Sequence, residues 1–213
     1  MITICNLNLG YNTLMYNKLY EIIADKLVNE GHIIIENALE KHLCSTLYLK
    51  AKNEQAYKQA AISQTAKAHI DTNKRSDKTK WIDEDGEAQS EYLSFMQGLQ
   101  THLNRSLYLG LSYYESHFAI YEKGDFYEKH LDSFKGFKNR VVTSVYYLNE
   151  EWNEEDGGEL IIYDKNNQEI TKVLPKADTL VVFLSEKFPH EVLLAKKKRY
   201  SIAGWFRVDR AIF

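Results

Sequence analysis

In the first hundred residues, apolar positions recur at the three- and four-residue intervals of an α-helix. Leu19, Ile22, Ile23 and Leu27 form one stripe, and Gly31 follows as a plausible stop. His32–Ile35 reads as a strand. Leu39, Leu43 and Leu47 make a second stripe, and Tyr92, Met96, Leu99 and Leu103 a third, so three amphipathic helices are expected to lie against an apolar surface. Between the second and third, from about Lys58 to Trp81, the chain is polar without sustained period. That is longer than an ordinary connection of about 4–6 residues, and a functional loop is expected there.

After Leu111 the pattern changes to short runs rich in β-branched and aromatic residues: His117–Tyr121, Val141–Leu148, Leu160–Tyr163, Thr179–Leu184 and Tyr200–Val208. Clusters of Gly, Asn, Asp and Lys separate them. Short strands at such spacing indicate a sandwich or barrel, and helices gathered ahead of them are expected to cover one face. The expected class is α+β, mainly β, in a single domain spanning 1–213. Residues 1–110 would supply helical support and a substrate loop, and 111–213 the β half.

Composition narrows the function. Lys and Arg number 27 against 30 Asp and Glu, a formal net charge of -3, so no field that would recruit nucleic acid is expected. Cys5 and Cys44 are far apart with no C-x-x-C spacing, which argues against disulfides, zinc fingers and dithiol chemistry and suits a reducing cytoplasm. No run approaches the ~20 apolar residues of a membrane span.

Candidate chemistry begins with the seven histidines. His32, His42, His69, His102 and His117 lie in helical, strand or loop patterns where surface or core roles suffice. His130 differs, because Asp132 stands two residues on and an extended segment projects i and i+2 to the same face. His190, just after the strand-like run Thr179–Leu184, could supply a third ligand from a neighbouring strand. Two histidines and a carboxylate on one side of an ion leave positions open, as in iron(II) oxygenases; zinc is less favoured because no general base is marked nearby. Arg199 follows nine residues after His190. If the chain doubles back at Lys196–Lys198, its guanidinium reaches the same cavity and can clamp a carboxylate through two hydrogen bonds.

The order H-x-D, distant histidine, arginine resembles the 2-oxoglutarate oxygenase superfamily. More closely, VTSVYYLNEEW followed by GGEL, then FPHEV and RYSIAGWF, resembles the hypoxia-inducible-factor prolyl hydroxylases and their small bacterial relatives. KRSDKTKW upstream resembles the R-x-D-K-x-x-W segment of that group. The resemblance implies a double-stranded β-helix (jelly roll) whose open end binds iron(II) through His130, Asp132 and His190, with 2-oxoglutarate and O2 as cosubstrates. It places Tyr147, Tyr121, Val145, Leu160 and Trp205 around 2-oxoglutarate beside Arg199, and Tyr127 near the bound proline. It also implies that Arg140 and Asp77 form a pair tying the substrate loop to the core, and that Arg75 shapes the substrate groove. Tyr and Trp in a β-barrel also serve as packing.

The chain departs from the pattern in a one-residue-shorter stretch between Tyr121 and His130, and in Phe134 where a proline is expected. The implied reaction is hydroxylation of a prolyl residue, at C4, in a protein substrate, with release of succinate and CO2. L-Ascorbate is the candidate reductant and elongation factor Tu the candidate target. The alternatives are an oxygenase acting on a free small molecule and a cupin-like metal-binding barrel; the second leaves Arg199 unexplained, and the long polar loop favours a polypeptide over the first.

Overall fold

A computed structural model describes residues 5–61, 70–133 and 139–209. Three helices, α1 (Cys5–Asn29), α2 (Lys41–Asn53) and α3 (Glu87–Leu107), lie where the apolar stripes place them. Tyr92, Met96, Leu99 and Leu103 on α3 are all fully buried. Gly31, with φ +79°, ends α1 through its N–H on the Lys26 carbonyl at 3.0 Å, a left-handed position that a side chain would strain.

Eleven strands follow or intervene among the described residues: β1 (His32–Glu36), β2 (Lys58–Gln59), β3 (Lys78–Trp81), β4 (Tyr113–Tyr121), β5 (Tyr127–His130), β6 (Arg140–Tyr147), β7 (Leu160–Tyr163), β8 (Glu169–Val173), β9 (Thr179–Leu184), β10 (His190–Val192) and β11 (Arg199–Arg207). They form two antiparallel sheets. The larger runs β1-β9-β6-β11-β4-β3-β2, the smaller β5-β10-β7-β8, which is the expected jelly-roll core with helices on one face.

The two-residue alternation of the large sheet divides the interior. Phe118 and Ile120, Val142 and Tyr146, Leu180 and Val182, and Tyr200, Ile202 and Phe206 face the helices and form one apolar cluster with them. Ala119 and Tyr121, Val145 and Tyr147, and Val181 and Phe183 face the smaller sheet and form a second cluster with Leu160, Ile162 and Val192. Each central strand is thus buried on both faces, one side by helices and the other by the facing sheet.

The polar stretch after Lys58 is more ordered than its pattern suggests. Its two ends are β2 and β3, which extend the large sheet beyond β4, with Lys78–Trp81 registered against Ile120–His117. Its middle, residues 62–69, and Phe134 lie outside the described residues. No described helix is long and apolar enough to cross a membrane.

Candidate active site

The smaller sheet brings the ligand candidates together. β10 pairs antiparallel with β5 so that His190 stands directly opposite His130. Asp132 follows β5 by two residues, and its oxygens lie 3.7 Å from His130 Nε2 and 3.6 Å from His190 Nε2. One ligand atom from each residue lies within 4.8 Å of the others, a spacing that fits one shared ion. Each imidazole is oriented from behind. His130 Nδ1 is 2.7 Å from the Glu128 carbonyl and His190 Nδ1 3.1 Å from that of Phe188; a carbonyl only accepts, so both Nδ1 atoms carry hydrogen and both Nε2 lone pairs face the centre.

The carboxylate is held in the same way. Thr143 donates its hydroxyl to Asp132 at 2.8 Å and Arg140 stands 3.8 Å away. Burial by itself would raise the Asp132 carboxyl, but His190, His130 and Arg140 outweigh it and hold it well below the usual carboxylate range. Burial and the neighbouring His190 push His130 below its ordinary value. At neutral pH His130 is therefore a neutral imidazole and Asp132 a carboxylate, the protonation states in which each can bind a divalent metal.

Arg199, 1% exposed, opens β11 on the inner face of the large sheet. Its Nη1 donates to Ser201 Oγ at 3.1 Å, and its guanidinium carbon lies 4.6 and 5.0 Å from the ring centres of Tyr121 and Tyr147. No carboxylate pairs with it among the described residues, and Arg199 Nε and Tyr147 Oη are buried without a hydrogen-bond partner. A buried cation beside an unsatisfied phenol is costly unless an anion joins them, so the donors suit a carboxylate ligand such as one end of 2-oxoglutarate.

The resemblance motifs explain how Arg199 is fixed. Asn149, ending the VTSVYYLN segment, donates to the Tyr200 and Pro175 carbonyls at 2.9 and 2.7 Å and accepts the Tyr200 N–H at 2.6 Å. Gly158, with φ +70°, leaves the space in which an added Cβ would stand 3.1 Å from Arg199 Cδ. A conformational need and a steric one thus coincide at that glycine.

One cavity is lined by His130, Asp132 and His190 at one side and Arg199, Tyr121, Val145 and Leu160 at the other, with Tyr127, Trp205, Arg75 and Arg140 at its rim. Tyr147 reaches it through Arg199. Asp77 does not line it; it is fully buried and takes Arg75 Nε at 2.6 Å and Nη2 at 3.0 Å. The expected Arg140–Asp77 pair is therefore replaced: Arg75, two residues from Asp77 on the same extended segment, holds that carboxylate, while Arg140 lies near Asp132 and Glu115 and stacks 3.7 Å from the Trp205 ring centre.

Six lining residues escaped the sequence reading, among them Ala119, Val192, Ala203 and Ser201, the hydroxyl partner of Arg199. Thr143 is another. His117, read as ordinary, is 3% exposed in the cavity wall between Trp81 and Trp205, each ring centre 5.4 Å away. The signal was available, since His117, Ala119 and Tyr121 share one face of β4. Burial, then Arg75, push its imidazole down to about 3, so the folded protein keeps it neutral.

A folded-state value below the unfolded 6.5 means that His117 adds no destabilisation above 6.5 and costs stability as pH falls from 6.5 towards 3, because only the unfolded chain takes the proton. Between pH 7 and pH 5 this amounts to about 2 kcal/mol. Urea unfolding of the metal-free protein should show wild type losing about that much more than His117→Met over this interval. Equal losses would mean the folded protein accepts the proton at His117.

Comparison with known proteins agrees with this geometry. Residues 116–207 match the family model described as 2OG-Fe(II) oxygenase superfamily. The chain is 36% identical to a Pseudomonas putida prolyl-4-hydroxylase, with TM-score 0.79 over 89% of this chain and 99% of that one. It is 28% identical, with TM-score 0.79 over 92% of each chain, to a Trichoplax adhaerens prolyl hydroxylase in complex with a hypoxia inducible factor oxygen degradation domain peptide fragment. Human Egl nine homolog 1 is 35% identical over 140 residues, 62% of this chain and 33% of that protein. The chain spans a third or less of the length of the curated relatives it matches.

Proposed function

Because this chain belongs to the 2OG-Fe(II) oxygenase superfamily, we propose that it hydroxylates a prolyl residue in a protein substrate, at C4. The observation that carries the reading is the pairing, in one cavity, of a His-Asp-His donor set with a buried arginine that has no carboxylate partner among the described residues. A cupin-like metal binder has no use for the arginine.

His130, Asp132 and His190 would hold iron(II), and Arg199 with Tyr147 and Tyr121 would hold 2-oxoglutarate. When bound, iron, O2 and 2-oxoglutarate supply the oxidation: one oxygen atom enters the C–H bond and the other leaves in succinate, with CO2 released. The chain's own work is positioning. Thr143 and the two backbone carbonyls fix the donor atoms before any ligand arrives, and Val145 and Leu160 keep the cosubstrate wall dry. Tyr127, stacked 3.7 Å from His130, and Trp205 flank the metal side, where a puckered ring would be pressed with one face inward. Asp77 would act through Arg75, which lies 4.5 Å from the Tyr127 ring centre.

The choice of proline rests on the P. putida and T. adhaerens likenesses, and elongation factor Tu, L-ascorbate as reductant and a cytoplasmic setting belong to the same proposal. The test is tandem mass spectrometry after incubation with iron(II), 2-oxoglutarate and source lysate, repeated with the modified proline replaced by alanine. A gain of one oxygen on that proline is expected. Oxidation seen only on another residue, or only on a free metabolite, would refute the prolyl assignment and leave the oxygenase intact.

A further inference from the structure

Beyond the metal cavity lies a larger groove of about 610 Å³ that shares Arg75, His117, Arg140 and Trp205 with it. The four shared residues set the groove directly beside the metal cavity. The charged side chains on its described walls are all cationic: Lys58, Lys80, Arg75 and Arg140. The acids that face these cations stand behind or beside them. Asp77 is buried under Arg75, Asp132 and Glu115 lie by Arg140, Asp83 meets Lys80 at 3.2 Å and Glu54 also interacts with Lys80, yet none of the five lines the groove.

Two further features suit an extended polypeptide. Trp81 presents a ring 53% exposed, propped edge-on against His117, a flat apolar platform at the groove wall. β2, which supplies Lys58 and Gln59, is an edge strand of the large sheet among the described residues, a place where an extended segment can add backbone hydrogen bonds. His117 stands at the junction. Its Nδ1 donates to the Phe118 carbonyl at 3.2 Å, which leaves neutral Nε2 as an acceptor for a substrate N–H.

We propose that this groove selects an acidic polypeptide: a substrate carrying Asp or Glu within two residues of the one presented to the metal, with the carboxylate facing the side of Lys58 and Lys80. The proposal rests on the reading of the chain as a peptide hydroxylase. Lys58 and Lys80 act on selection alone, through charge complementarity with the segment outside the metal cavity.

The test uses two fluorescent alanine-based dodecapeptides with one central proline, flanked on both sides by two glutamates in one and two glutamines in the other. Binding is measured by anisotropy to the protein with iron(II) and 2-oxoglutarate under nitrogen. The glutamate peptide should bind roughly tenfold tighter at low salt, the ratio should shrink as salt rises, and Lys58→Glu/Lys80→Glu should bring it to one or below. Because the ratio is taken within each protein, a general loss of folding cannot mimic that change. Equal affinities, binding of neither peptide, or a ratio unaltered by the double variant would each overturn the proposal. Admitting air and reading the same peptides by mass spectrometry separates the two readings. A glutamate preference without oxidised proline keeps the groove and removes the prolyl reaction; oxidised proline without preference does the reverse.

Discussion

His190→Ala is expected to abolish turnover and to lower iron(II) affinity by more than about 100-fold, the upper range for losing only a contact that supports a ligand. The reason is geometric. His130 and His190 face each other across a strand pair, and Asp132 spans them with one oxygen toward each. Removing either imidazole leaves two donors, which neither fix an ion nor define its open positions. Thr143→Val is the comparison, since it deletes the hydroxyl that bonds Asp132 and Ser185, each at 2.8 Å, and no ligand, and a loss of about 10–100-fold is expected. Metal content after equilibration with iron(II), together with succinate formation, checks both. Full iron occupancy and turnover in His190→Ala would remove the triad from the account.

Legibility in the sequence followed hydrophobic period. α3 and the strands β7 and β9 were readable because each buries a regular apolar face, and Leu160–Tyr163 and Thr179–Leu184 appear with the bounds their pattern suggests. β5 and β10 were not. Tyr127–His130 and His190–Val192 are three or four residues long and carry polar groups on the face toward the metal, so the elements that hold the ligands lack the alternation that announces a strand. β8, with Glu169 and Lys172 among five residues on the outer edge of the small sheet, failed for the same reason.

Side-chain placement was readable wherever two positions share a strand face. The step from His130 to Asp132 relied on this; the same step connects Arg75 to Asp77 and, taken twice, His117 to Tyr121. Arg140 was instead assigned to Asp77 by resemblance, and the shorter local pair prevailed because the fork of Arg75 reaches both oxygens of a carboxylate two residues away. What no sequence pattern signals is the placing of the outer groove beside the metal cavity, which depends on β3 packing beside β4 and bringing Trp81 against His117.

Arg199→Ala should raise the KM or Kd for 2-oxoglutarate by about 10²-fold or more while iron(II) still binds, since two charge-assisted hydrogen bonds worth roughly 1.5–3 kcal/mol each are lost. Arg199→Lys should fall between, keeping the charge without the fork. A second readout separates a ligand clamp from a structural arginine. Among the described residues, Arg199 is buried with one hydroxyl partner, two flanking tyrosine rings and no carboxylate, so in the ligand-free protein it is a burden that cation–π contacts offset only in part. Arg199→Met, which retains most of the side-chain volume, should therefore leave ligand-free stability unchanged or raise it. Stabilisation by 2-oxoglutarate, about 2.7 kcal/mol at a hundred times Kd for wild type, should vanish at the same concentration. Chemical denaturation with and without 2-oxoglutarate, in the presence of iron(II) under nitrogen, measures both quantities. If Arg199→Met is markedly destabilised without ligand and the cosubstrate still stabilises it as in wild type, the guanidinium is part of the scaffold and 2-oxoglutarate is held elsewhere.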